Sequence, residues 1–305
     1  MTEATIVADR DIYRSDADRR PGVVGTLREI GTDLWRFRDL LYQMTRRDIR
    51  IRYKQAIMGF GWAIFMPLMV IMAGVLIRIA MAQVSGSPLD RSHIAGLAVK
   101  SLPWSFFVGA IGFGVNSLTG NMNLVSKIYF PREVMPLSAT LAQLFDTSIS
   151  ALFLIVILPF LGVRFTTGLF WVPVILLLLV TFTGATALLL SCANLFFRDV
   201  KYIVQVLLTF GIFFTPVIFE PMMLGQLGAK LIMLNPLAPL LEGMRISVVL
   251  GHNLLEPLSE LNHHGVMVLV WTPWYLAYSA VWAIGGLALA ATLFHRLENV
   301  FAEYI

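Results

Sequence analysis

Charge is scarce in this chain. Only 14% of its 305 residues are Asp, Glu, Lys or Arg, and 57% are hydrophobic. A soluble globular chain has roughly 25% charged residues. No soluble core could hide so much apolar surface from water, so the composition excludes a soluble protein and places the chain in a bilayer. Cysteine is nearly missing. Cys192 stands alone inside an apolar run, which excludes an internal disulfide framework and reads as a small packed residue. No G-x-x-x-x-G-K-[ST] occurs, so ATP is not bound here by a P-loop; GLAVKS (96–101) lacks the second glycine. H-E-x-x-H and paired Asp-rich motifs suited to magnesium and diphosphate are also missing. The adjacent His263 and His264 would point apart on a helix, and a solvated loop suits them better than a metal site. The first residues, MTEATIVADRDIYRSDADRR, mix charges of both signs without an apolar core. They are expected to form a disordered or loosely held cytoplasmic tail, not a cleavable signal. No inverted internal repeat is visible.

What is present is a set of long apolar runs. A spanning helix needs about 20 such residues. Six spans are expected, near 59–81, 104–120, 135–161, 169–195, 202–219 and 274–294, the fifth being short. Lys and Arg set their orientation. Arg46, Arg47, Arg50, Arg52 and Lys54 precede the first span, Lys127 and Arg132 lie between the second and third, and Arg198 and Lys201 between the fourth and fifth. The alternate loops hold Arg91, Lys100 and Arg164, with Lys230 and Arg245 in a longer segment. This bias predicts both termini in the cytoplasm. It also puts Arg78 at the outer end of its helix, snorkelling to the interface. The net charge of +4 reflects this topology signal and gives no reason to expect nucleic acid as a partner.

Before the first span, Ile30, Leu34, Phe37, Leu41 and Met44 form one helical stripe, with Arg28, Arg36, Asp39 and Arg46 off it. This predicts an amphipathic helix lying in the membrane interface, or else a packed helix of a small soluble domain. The chain then divides into a tail (1–24), an interface helix with a basic region (25–57) and a membrane domain (58–305). Between the fifth and sixth spans, LIMLNPLAPLL (231–241) and the apolar stretch 246–250 are too short to cross. They predict two short re-entrant helices capping a pathway.

Three groups of residues are candidates for function. Asp146 is an ionisable group deep in the third span, facing a hydrated pathway or bonded to a neighbouring helix. Trp62, Phe65, Phe210, Phe213 and Phe214 are either lipid-facing anchors or aromatic walls along which sugar rings could slide. KIYFPREVMP (127–136) interrupts the apolar chain: Ser101 to Ser126 carry no charge, and after Glu133 the next charge is Asp146. Its mixture of apolar, aromatic and charged residues suits either a protein-docking knob or an interfacial loop anchored by Tyr129 and Phe130.

Five strings occur in order: RRDIRIRYKQAIMGFGWAIFMPL (46–68), NLVSKIYFPREVMP (123–136), FFRDVKYIVQVLL (196–208), FFTPVIF (213–219) and LNPLAPLLEGMR (234–245). Together they resemble the ABC-2 family of exporter membrane subunits, and within it the polysaccharide and polyol-phosphate exporters: O-antigen, capsule, teichoic acid and mycobacterial galactan. The resemblance covers roughly residues 34–305. It implies an all-α, six-span half-transporter forming a homodimer around a channel. Two copies of a separate ATP-binding subunit would bind ATP and Mg, leaving this chain without a cofactor or catalytic residue of its own. The cargo would be a glycan on a polyprenyl diphosphate, moved across the bacterial inner membrane. The resemblance makes Asn123, Leu124, Lys127, Ile128, Tyr129, Phe130, Pro131, Arg132 and Glu133 the helix that couples to the ATPase. Tyr42, Arg46, Arg47, Arg50, Arg52, Tyr53 and Lys54 would receive the diphosphate headgroup, which needs charge-assisted donors. An intramembrane enzyme acting on polyprenyl-linked sugars is the rival reading; it calls for clustered carboxylates or histidines, whereas the acids here are scattered.

Overall fold

The computed structural model describes residues 23–54, 57–85, 91–122, 130–164, 166–262 and 265–297. The expected tail, the stretch 123–129 of the coupling segment, and His263 and His264 lie outside the described residues. The chain is mostly helical. Two helices, α1 (Val23–Arg36) and α2 (Arg38–Tyr53), precede α3 (Gly61–Ser85), α4 (Arg91–Gly114), α5 (Val134–Ile157), α6 (Trp171–Phe196) and α7 (Val200–Gly211). Two short helices follow, α8 (Gly225–Ile232) and α9 (Ala238–Val248), then strands β1 (Leu258–Leu261) and β2 (Met267–Trp271), and finally α10 (Pro273–Leu297).

Among the described residues, five helices are long and apolar enough to cross a membrane: α3, α4, α5 and α6 with their 3-10 extensions, and α10. The chain is therefore a multi-pass membrane protein. The run expected as the fifth span is α7 continued by one 3-10 turn, Val200–Phe214. At 1.5–2 Å per residue this reaches about 24 Å, short of the roughly 30 Å hydrocarbon layer. The helix stops there because Thr215 is extended (φ −133°, ψ 138°), as a residue before proline tends to be. Asn235 donates to the exposed carbonyl of Phe214 at 3.1 Å and so caps that end.

α4 is the hub. Its most apolar stretch is 67% buried, against 17% for α3. Small residues let neighbours approach closely: a Cβ on Gly114 would lie 2.9 Å from Ala187 of α6, and one on Gly109 would collide with Gln143 of α5. The helix begins at Arg91, well before the expected start at 104, so Arg91 and Lys100 belong to a helix and not to an outer loop.

The core has two centres. Around α9, every residue of which is buried, pack Trp104, Phe106, Ile175, Leu179 and Trp271. At the other end, Leu118, Phe130, Val134, Leu188, Cys192 and Phe294 form a second centre, covered in part by Leu34 of α1 and Leu41 and Met44 of α2. The expected stripe thus does cover apolar surface, but its helix is broken at Phe37 (φ −97°, ψ 19°).

Among the described residues the fold departs from all-α at one place. Leu258–Leu261 and Met267–Trp271 pair as an antiparallel hairpin. Gly265 (φ 73°) and the Asn262 side chain, which accepts from the Val266 N–H, form its turn. Val268 and Val270 are buried against Ala229 of α8. Two short helices do precede α10, but not at the expected positions: the run 231–241 straddles the end of α8 and the start of α9, and the stretch 246–250 falls at the end of α9. Their bounds differ from those expected because the break falls at Asn235 and Pro236, whose carbonyl accepts from Ser279 of α10.

Candidate functional site

Pro67 sits inside α3 and has no N–H to give the carbonyl of Ala63. Ser150 of α5 supplies the missing donor at 2.6 Å. This bond marks one wall of a cavity of about 570 Å³ between α2, α3, α4 and α5, lined by Arg52, Tyr53, Trp62, Phe113, Gln143 and Asp146, among others. A second cavity of about 490 Å³, lined by Asn116, Lys201, Tyr202 and Gln205, shares the lining residue Val108 with the first. Together they run along one face of α4, between α3 and α7.

The polar floor of the first cavity is built by two helices. Arg52 Nη1 donates to Asp146 Oδ2 at 2.6 Å and to Gln143 Oε1 at 2.8 Å, and the Tyr53 hydroxyl donates to Asp146 Oδ1 at 2.6 Å. The Arg52 guanidinium lies 3.8 Å from the Phe113 ring centre, a cation–π contact. Burial and the bond to Asp146 hold the Tyr53 phenol above its ordinary range. Asp146 therefore bonds to a neighbouring helix, one of the two alternatives expected, and it also lines a cavity. Its partners, Arg52 and Tyr53, belong to α2.

α2 has two faces. Arg47 bonds Asp48 at 2.9 Å, and Asp48 accepts from Ser138 of α5 at 2.9 Å. Arg47, Arg52 and Tyr53 are thus engaged in fixing α2, directly or through Asp48. Tyr42, Arg46, Arg50 and Lys54 are exposed; the first three recur at four-residue spacing along the free face.

A second concentration of charge surrounds α9, and it was not anticipated. Arg78 Nη2 lies 3.1 Å from Glu220, and His93 lies 3.6 Å from the same carboxylate. Lys100 Nζ donates to the Phe219 carbonyl at 2.7 Å and lies 3.7 Å from Glu242. Arg245 bonds Glu242 at 2.7 Å and grips Glu260 at 2.9 and 3.0 Å. Arg78 is 5% exposed, so it does not snorkel to an interface. Three cations and three carboxylates balance, which is what makes their burial tolerable. Burial alone would raise the pKa of Glu220, but Arg245, Lys100, Arg78 and His93 outweigh it and hold the carboxyl below its ordinary value. At Glu260, burial outweighs Arg245 and raises it.

Residues 39–249 match the ABC-2 type transporter family. The chain belongs to that family. It is 29% identical over 277 residues to the O-antigen export system permease protein RfbA of Myxococcus xanthus, covering 90% of this chain and 98% of that protein. It is 28% identical over 268 residues to a protein of the same name from Klebsiella pneumoniae, covering 88% and 95%. A further K. pneumoniae protein so named is 28% identical over 270 residues. ABC-2 permeases are transport subunits. In this ABC-2 chain the aromatic candidates are largely open: Trp62 is 42% exposed, and Phe210, Phe213 and Phe214 are 56–70% exposed. Phe65 is half-buried, edge-on to Trp62 at 5.5 Å. α7 carries its aromatic residues close to α4, where Gly211 leaves room for the Trp104 ring.

Of the coupling residues, Asn123, Leu124, Lys127, Ile128 and Tyr129 lie outside the described residues. Phe130 is 5% exposed and sits in the core centre beneath α2, and Glu133 is also buried. Pro131 and Arg132 are half-buried. Phe130 thus anchors the segment to its own subunit.

Proposed function

We propose that this chain is the membrane subunit of an ATP-driven exporter of lipid-linked polysaccharide. It carries O-antigen or a similar glycan on a polyprenyl diphosphate from the cytoplasmic to the outer face of the bacterial inner membrane. The observation that carries this reading is likeness along 88–90% of the chain to proteins named as O-antigen export permeases. Two copies enclose the channel and two ABC ATPase subunits dock beneath; closed two-fold symmetry suits a path on the axis. Residues 202–219 make the short fifth of six crossings, with both termini in the cytoplasm.

In this arrangement the two cavities along α4 lie on the channel side, with Trp62, Phe210, Phe213 and Phe214 exposed toward it. Tyr42, Arg46, Arg50 and Lys54 form the cationic rim that meets the diphosphate. Ile128 and its neighbours in 123–129 receive the ATPase.

Depletion of the chain in its host tests this, read by mass spectrometry of lipid-linked sugars and by surface glycan. Internal accumulation with loss of surface glycan is expected. Unchanged surface glycan refutes the export reading, and turnover of a polyprenyl-linked sugar by the purified chain alone favours the enzyme instead. Ile128→Asp should abolish co-purification with the ATPase; retained, coupled ATPase would remove this segment from the contact.

A further inference from the structure

We propose that the cavity beneath α2 is a subsite for an uncharged sugar ring, with Gln143, Ser105 and the free edge of Arg52 as its hydrogen-bonding groups. The inference rests on the export reading and names what part of the cargo this cavity recognises.

Charge decides first. Arg52 stands among the basic residues ahead of the first span and would suit a phosphate. Asp146 lies 2.6 Å from it, and the two side chains are 12% and 11% exposed. A phosphate reaching Arg52 meets that carboxylate too, so attraction and repulsion largely cancel. A neutral, hydroxyl-rich ring suffers no such repulsion.

Hydrogen-bonding capacity decides next. Arg52 bonds Gln143 and Asp146 through Nη1, and among the described residues Nε and Nη2 keep their donors. Gln143 accepts through Oε1 and, among the described residues, donates no bond through Nε2. Ser105 lines the same cavity, and its hydroxyl has no partner among the described residues. Donors and an acceptor at close range match the vicinal hydroxyls of a sugar. Asp146 and Tyr53 are positioning residues: they fix the guanidinium, which in turn holds the Gln143 amide.

Shape decides last. Trp62 and Phe113 present open aromatic surface to the cavity, suited to the C–H face of a ring. The volume of about 570 Å³ falls within the usual range for small-molecule sites, roughly 300–1,000 Å³. An adjoining apolar groove shares Pro67, Leu102 and Ser150 with the cavity and runs on between α3 and α5. It gives an alkyl chain attached to the sugar a place to lie. Gly109 is required, because any Cβ there would fall 2.5 Å from the Gln143 amide.

The test uses the full chain with its ATPase in nanodiscs, carrying Cys192→Ala and Met66→Cys, a lining position that supplies none of the subsite's hydrogen bonds. The rate at which N-ethylmaleimide alkylates the introduced thiol is measured with octyl glucoside, galactoside and mannoside below their micellar concentrations, and with octyl phosphate. At least one glycoside should slow alkylation about fivefold or more, and octyl phosphate less than twofold. Gly109→Ala, which displaces the Gln143 amide without removing a polar group, should cancel the protection. Equal protection by phosphate and glycosides means that only the alkyl chain is held, and overturns the proposal. Protection by phosphate alone, by none of the probes, or undiminished in Gly109→Ala overturns it as well. If depletion abolishes surface glycan while no glycoside protects, the subsite falls and the export reading stands. Protection in a chain whose depletion leaves surface glycan intact does the reverse.

Discussion

Arg245 offers the sharpest test of the ionic cluster around α9. It is 4% exposed and makes a 2.7 Å bond to Glu242 and two bonds near 3 Å to Glu260. Arg245→Met keeps an unbranched side chain beside Gly96, where the native side chain already passes within 3.1 Å of a Cβ position. It also leaves three carboxylates facing only Arg78 and Lys100, with His93 at the margin. Breaking a buried pair from one side costs about 3–5 kcal/mol, because the remaining charge stays buried. With an unfolding entropy of about 2.1 cal/mol/K per residue over 305 residues, 4 kcal/mol corresponds to about 6 °C. The assay is the apparent Tm of the detergent-solubilised chain, from the surviving size-exclusion peak at a fixed heating time. Adding Glu242→Gln removes the stranded charge and should recover about half of the loss. A single-variant shift below about 1 °C, or a double variant that loses the sum of both singles, would refute the reasoning.

Other consequences can be measured separately. Folding favours ionised Glu220, so its contribution is complete above the ordinary carboxylate range and is lost as pH falls through its lowered folded value. Glu220→Gln should therefore lose less Tm than the parent chain between about pH 5 and 3; an equal loss refutes the assignment. Ser150→Ala should cost about 1 kcal/mol by stranding the Ala63 carbonyl. In a Pro67→Ala background the helix supplies its own N–H, so the same change should cost much less; equal costs would dissolve the link. Asp146→Asn should loosen α2 from α5 and speed proteolysis after Arg50 or Arg52, an effect absent if Gln143 and Phe113 suffice to hold Arg52.

The long apolar helices were legible because a bilayer demands a run of consecutive apolar residues and nothing else competes for that pattern. The interface stripe was legible for the same kind of reason, since three- and four-residue spacing is local. The charged residues were not. Lys100 reads as the end of a loop because Glu242 and the Phe219 carbonyl, which make its burial possible, come from far along the chain. Arg52 and Asp146 are 94 positions apart. A hint existed: an acid deep in a span needs a cation, and the nearest concentration of cations precedes the first span. The hairpin was hidden by its own chemistry, because polar residues and a His pair outweigh the alternation of Val268 and Val270 with their neighbours. Phe130 left a docking segment and an anchored loop equally open, because aromatics favour interfaces inside a chain as much as between chains.

α3 is the least buried of the long helices, and polar bonds fasten it at two places: in its first turn through Ala63 and Ser150, and toward its far end through Arg78 and Glu220. Two fasteners resist pulling apart, but they leave rotation about the line between them nearly free. Apolar contacts alone set the remaining torsional stiffness. The wall that carries Trp62 and Phe65 is in effect a hung door, and the two polar bonds are its hinges.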